Sequence, residues 1–119
     1  MRQLTDHKVN PANDLITVTV IDPPGEGNAS HVYQCKVPNG QTITINFQNG
    51  PINMVGVNGL TQEVLLAIVA DRLQSFQKGS FSCRENALAL TKIEEAMHWL
   101  HHRTLRRMQA GTEGTRLPD

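Results

Sequence analysis

The chain has 119 residues, enough for one domain with a modest core, and its 11 acidic and 11 basic residues cancel. A neutral chain sets up no long-range field to recruit nucleic acid or an anionic membrane surface, and five aromatic residues leave little for the base-stacking sheets of RNA-binding domains. Cys35 and Cys83 stand far apart without metal-ligand spacing, and no apolar run suits a bilayer span or a secretory leader, so a reduced cytoplasmic protein is expected.

In chain order, residues 1–14 are polar, carry Pro11 and Asn13, and are expected to form a flexible lead-in. Residues 15–58 form the expected sheet region. In LITVTVI, residues 15–21, Ile16, Val18 and Val20 alternate with Thr17 and Thr19, the pattern of a half-buried strand. The Pro- and Gly-rich residues 22–28 must turn the chain. Residues 31–37 give a weaker strand, diluted by His31 and Gln34, and Asn39-Gly40 favours a tight hairpin. QTITINFQ, residues 41–48, alternates Ile43, Ile45 and Phe47 against polar residues. Three strands with short links make an antiparallel meander. Gly56, Asn58 and Gly59 mark a loop in which backbone approaches something closely.

Residues 59–111 read as a hairpin of two long helices within the same compact domain. Thr61 is the expected cap of the first, with Glu63 in its opening turn and Val64, Leu65, Ile68, Val69, Leu73 and Phe76 on a broad apolar face. Lys78-Gly79 ends it. Ser82-x-x-Glu85 has capping-box spacing, and no Gly or Pro follows until Gly111, so one helix is expected from the box to Ala110. Ala89, Ile93, Ala96, Met97, Leu100 and Thr104 supply its buried stripe, and Trp99 falls off it. Residues 112–119 are a C-terminal tail. The fold class is α+β, a small antiparallel meander followed by a long two-helix hairpin. Apolar surplus on more than one side of the second helix predicts self-association, most simply a symmetric dimer.

Chemistry is expected to be binding rather than catalysis. Glu95-x-x-His98 has the helical spacing of a carboxylate-bridged di-iron motif, but such a site needs a second motif and two further carboxylates from other helices, and the first helix offers only Glu63 and Asp71. Glu94, Glu95, His98, His101 and His102 then read as a solvated helix face, and no catalytic or metal-ligating residue is assigned. Ser82 is explained as a cap, and Cys83 has no nearby histidine in sequence to complete a dyad. A small anion suits the chain better. Arg84 lies in the first turn of the second helix, where free amides favour anions, and Arg103 and Arg107 are i, i+4 neighbours able to grip a phosphate. Phe76 could stack on a base, and Asn86 offers both donor and acceptor. The same arginines also suit the negative end of a helix without any ligand, and Phe76 also suits core packing. Seventeen positions separate Asn86 from Arg103, roughly 25 Å of helix rise. A small ligand touching both must lie between antiparallel subunits.

NFQNGPI, GVNGLTQEVLLAIVADRLQSFQKG and FSCRENALALTKIEEAMHWLHHRT, with the later GTEGT, closely resemble the phage anti-Thoeris sponge family, Thoeris anti-defence proteins of the first type. The helical part is similar to the wider anti-CBASS/anti-Thoeris hairpin domain. The resemblance implies a non-enzymatic protein of the bacterial host cytoplasm, without cofactor. Such a protein holds cyclic nucleotide immune signals intact, glycocyclic ADP-ribose above all and in some members cyclic di- or trinucleotides. It also implies dimers that gather into hexamers as trimers of dimers, with no nucleic-acid polymer or membrane as partner. Carried over, the small inter-subunit pocket takes Phe76, Asn86, Arg103 and Arg107. A larger pocket takes Arg84 with Gly50 and Pro51, and at Pro51 the chain departs from relatives that carry a basic residue there. The alternative is a structural or protein-binding hairpin that contacts a defence protein directly.

Overall fold

The structure is a computed structural model and describes residues 1–118; Asp119, the end of the expected tail, lies outside the described residues. Strands β1 (Arg2–Leu4), β2 (Thr17–Val20), β3 (Val32–Lys36) and β4 (Thr42–Asn46) form one antiparallel sheet in the order β1-β2-β3-β4. Helices α1 (Pro11–Asp14) and α2 (Ile52–Val55) are single turns, and α3 (Gln62–Gln77) and α4 (Arg84–Ala110) are the long pair. The fold is α+β as expected, with four strands instead of three.

The extra strand corrects the reading of residues 1–14 as a loose lead-in. Arg2 pairs with Val20, Gln3 with Thr19 and Leu4 with Val18, and Asn10 caps the α1 turn by accepting from the Asn13 amide at 2.8 Å. A tight hairpin joins β3 to β4. Gly40 takes φ 90° while Asn39 keeps negative φ, and the Gly40 amide donates to the Val37 carbonyl at 3.0 Å. This is a three-residue loop in which only the glycine needs the left-handed region.

The expected single compact domain divides into two compact units, residues 1–50 with 55–60, and residues 51–54 with Thr61 onward. In the first, Val20 is the fully buried side chain. Beside it the turn between β2 and β3 is fastened by Asp22, whose carboxylate accepts from the His31 amide at 2.8 Å and the Val32 amide at 2.9 Å. Those two donors, Val32 foremost, hold the Asp22 carboxyl below its usual range against the opposing effect of burial. After β4, Phe47 bridges Leu60, and Gly59 passes so close to the Phe47 backbone that an added Cβ would lie 2.5 Å from its carbonyl carbon. The close approach expected around Gly56–Gly59 is therefore to the chain itself. Gln48, Asn49 and Asn58 close this loop through reciprocal side-chain to backbone bonds.

In the second unit α3 packs on α4. Leu90, Ile93, Ala96, Met97, Leu100 and Thr104 are half-buried on α4, whereas Ala89 is exposed, so Leu90 takes its place in the stripe. Thr61 stands at the N-cap of α3 without a side-chain capping bond. The expected capping box does not form either. Cys83 is the N-cap of α4, its thiol accepting from the Asn86 amide at 3.4 Å, and Glu85 falls one position early for the box. The cause is Gln77 at the end of α3. Its amide accepts from the Cys83 N–H at 3.1 Å and donates to the Cys83 carbonyl at 3.2 Å, holding Cys83 extended so that helix begins at Arg84. Gly111 ends α4 at φ 74°, the stop expected of it.

Candidate functional site

The expected small-pocket residues fall near the two ends of α4, with Phe76 at the close of α3 beside its start. At the α3–α4 link, Phe76 is half-buried and meets Phe81 edge-on, with ring centroids 6.1 Å apart. The Arg72 guanidinium, one turn before Phe76 on α3, lies 4.9 Å from the Phe76 centroid. Asn86 donates through its side-chain amide to the Phe81 carbonyl at 3.4 Å, and Arg84 is exposed at the first position of α4. Phe76 and Asn86 thus come together, with Phe81 between them. Neither Phe81 nor Arg72 was singled out from sequence. The Arg-x-x-x-Phe spacing on a helix, which puts a cation beside a ring, was the signal available.

About 25 Å along the α4 axis, Arg103 is exposed and Arg107 is buried, at 5% exposure. Their i, i+4 spacing does not give them one environment. Arg107 donates to the carbonyls of Thr112 at 2.7 Å, Leu117 at 3.0 Å and Thr115 at 3.2 Å, and lies 3.5 Å from the Glu113 carboxylate. Its own backbone carbonyl accepts from the amides of Thr112 and Glu113. Gly111 and Gly114 take φ 74° and 78°, which folds the tail back around this guanidinium. The Asn53 amide of α2 then donates to the Gly114 carbonyl at 3.2 Å. The Gly-Thr-Glu-Gly-Thr motif is a folded clasp with Arg107 at its centre.

Of the larger-pocket residues, Pro51 is buried at the start of the second unit, and Gly50, in the first, takes φ 95° with its carbonyl accepting from Gln48 at 3.2 Å. The histidines build an aromatic cluster. His98 and His102 stack at 6.5 Å, and both meet the ring of Trp99, which is 60% exposed. Among the described residues no three His, Cys, Asp or Glu side chains converge on a point where a metal could sit. A pocket of about 210 Å³ in the sheet unit is bordered by Arg2, Asp22, Pro23 and Ser30, and none of the expected ligand residues reaches it. Among the described residues no helix is long and apolar enough to cross a membrane.

A four-stranded meander followed by a long helical hairpin, with an aromatic–arginine cluster at one end of the hairpin and an arginine clasp at the other, defines the class: an α+β hairpin-domain protein. Residues 39–105 match the Acb2/Tad1 hairpin domain, over half of the chain, and the protein belongs to that family. It is also similar to Thoeris anti-defense 1 of Bacillus phage SBSphiJ7, 50% identical over 91 residues. The match covers 76% of this chain and 64% of that relative, so the chain spans a little under two thirds of the relative's length.

Proposed function

We propose that this protein is a phage-encoded sponge that binds a cyclic nucleotide immune signal, glycocyclic ADP-ribose in the first place, holds it unchanged in the host cytoplasm and so blocks Thoeris defence. The observation that carries this reading is the 50% identity to a Thoeris anti-defense 1 protein. The hairpin match itself takes in Phe76, Arg84, Asn86 and Arg103. Phe76 and Asn86 hold the adenine end of the ligand. Arg103 meets the pyrophosphate from the partner subunit, and Arg107 shapes that end of the helix through the tail it fastens. Cyclic di- or trinucleotides would take a second pocket that includes Arg84.

The reading requires an oligomer, because the two ends of α4 are too far apart for one small ligand. Supporting it, Val64, Ile68 and Val69 on α3 and Leu88, Trp99, Leu105 and Met108 on α4 leave their apolar surface in water in the single chain. Helices apolar on several sides are stable when another copy covers them. Dimers, and hexamers built as trimers of dimers, satisfy both demands.

Calorimetric titration with glycocyclic ADP-ribose, followed by heating and recovery of the ligand, tests the proposal. Submicromolar binding with intact ligand returned is expected, together with a solution mass at a multiple of the 13.2 kDa chain. A monomer, or a ligand returned cleaved, would sink the sponge. The same exposed apolar faces favour one other reading, a hairpin that contacts a defence protein directly. Absence of heat with any cyclic nucleotide, alongside co-purification with a defence protein, would select it.

A further inference from the structure

We infer that Arg72 and Phe81 belong to the nucleotide-binding surface at the α3–α4 link, Phe81 as the stacking platform for the purine and Arg72 as the donor to its phosphate. This rests on the sponge reading for the identity of the ligand.

Three observations lead there. First, the Arg72 guanidinium already occupies one face of Phe76, at 4.9 Å from the ring centroid. A base cannot lie on that face while the cation does. Second, Phe81 is 72% exposed although it sits in a tight link between two helices. Its planes make 65° with those of Phe76, so the two rings form an open corner rather than a closed stack. A flat purine fits such a corner with its face on Phe81 and its edge toward Phe76. Third, the exposed ring is held in place. Asn86 donates to the Phe81 carbonyl, the Ser82 amide donates to Gly79 at 3.3 Å, and Gln77 brackets Cys83 from both sides. An apolar ring kept in water by this many polar bonds is preorganised for a partner that stacks on it.

The chemistry of Arg72 completes the site. A guanidinium carries five N–H donors in a planar fork, more than contact with one ring engages. Among the described residues no carboxylate pairs with Arg72. Its fork can therefore take a phosphate oxygen beside the stacked base, while the Asn86 side-chain carbonyl remains to accept from an exocyclic amine of adenine.

The test uses the sequence's scarcity of phenylalanine. Only Phe47, Phe76 and Phe81 occur, so ring-labelled Phe gives three assignable signals, with Phe47 in the sheet unit as internal reference. The full chain, labelled also at arginine Nε, is titrated with 5′-AMP and with glycocyclic ADP-ribose. Phe76, Phe81 and Arg72 are expected to move together, and Arg72→Gln and Phe81→Leu each to weaken binding by roughly ten-fold or more with an unchanged circular-dichroism spectrum. Movement of Phe76 and Arg103 without Arg72 and Phe81, or variants that bind like the parent, overturns this inference and leaves the sponge standing. Movement at Arg72 and Phe81 without Arg103 upholds the inference and removes the far end of α4 from the site. Silence at all of them with both probes overturns both.

Discussion

The guanidinium of Arg107 lies 2.7 Å from the carbonyl oxygen of Thr112, five residues further on, across the left-handed turn at Gly111. Two more carbonyls and the Glu113 carboxylate also lie against it. A buried arginine so placed is part of the fold before it is part of any binding site. Removing it leaves three tail carbonyls without their donor and a carboxylate without its counter-charge. Arg107→Met is therefore expected to destabilise the protein by about 2 kcal/mol, the worth of charge-assisted bonds lost at a buried site. Fast amide exchange across Thr112–Leu117 should accompany the loss. A variant as stable as the parent, with a protected tail, would show that the clasp holds nothing. Binding experiments on Arg107 variants need this control, because a ligand bound near the tail would be lost along with it.

The cap of α4 offers a second test, since two adjacent residues compete for it. Cys83 occupies the N-cap position and offers only a weak thiol acceptor to the Asn86 amide. Cys83→Ser keeps the size and improves the acceptor, and is expected to stabilise the helix by about 0.5 kcal/mol. Ser82→Ala, which would be damaging if Ser82 capped the helix, is expected to be neutral within about 0.5 kcal/mol. Chemical denaturation of the two variants decides between the registers. A large loss at Ser82 with no gain at Cys83 would put the box back where the Ser-x-x-Glu spacing suggests.

That contest marks how far the sequence could be read. Alternation of β-branched residues located β2 and β4 within two residues at either end, and the unbroken run to Gly111 located α4. What stayed hidden depended on partners distant in sequence. Arg-Gln-Leu is too short to show a period, and becomes β1 only because β2 offers it an edge. Ser82 lost the cap to Cys83 because of a glutamine six residues before Cys83, on another helix. At the candidate site, Phe76 and Asn86 were legible from residue type and resemblance, and the structure brings them together through Phe81. The different environments of Arg103 and Arg107 were not legible, because helical spacing says nothing about where a tail beyond the helix will run.

Backbone proximity makes a third prediction. An added Cβ at Gly59 would lie 2.5 Å from the Phe47 carbonyl carbon and 2.6 Å from its oxygen. Both atoms belong to backbone held by the Phe47–Leu60 bridge, so no side chain can swing away to make room. Gly59→Ala is expected to destabilise the sheet unit by roughly 1–3 kcal/mol, the cost of forcing backbone shifts in a packed region. Gly27→Ala makes the comparison sharp. Its Cβ would meet nothing within 4 Å, and only the backbone preference at φ 67° is disturbed, a smaller penalty of about 1 kcal/mol. Thermal melts with the opposite ranking would contradict the close approach.

Acid should act on the sheet unit through Asp22. The Val32 and His31 amides stabilise its ionised form, so its folded pKa lies below the unfolded one. A lowered carboxylate contributes stability that is fully present above the unfolded value, about 3.9, and is lost as pH falls through the folded value. Asp22→Asn keeps the shape but not the charge, and a side-chain amide oxygen accepts less strongly from those N–H donors. The variant is therefore expected to melt lower than the parent at neutral pH, and the two melting curves to converge as the medium is acidified past the carboxylate range. Melting temperatures of both proteins across that pH series measure the effect directly. A gap that stays constant to the lowest pH would mean that Asp22 supports the turn through shape alone, and that its charge has no part in holding β2 to β3.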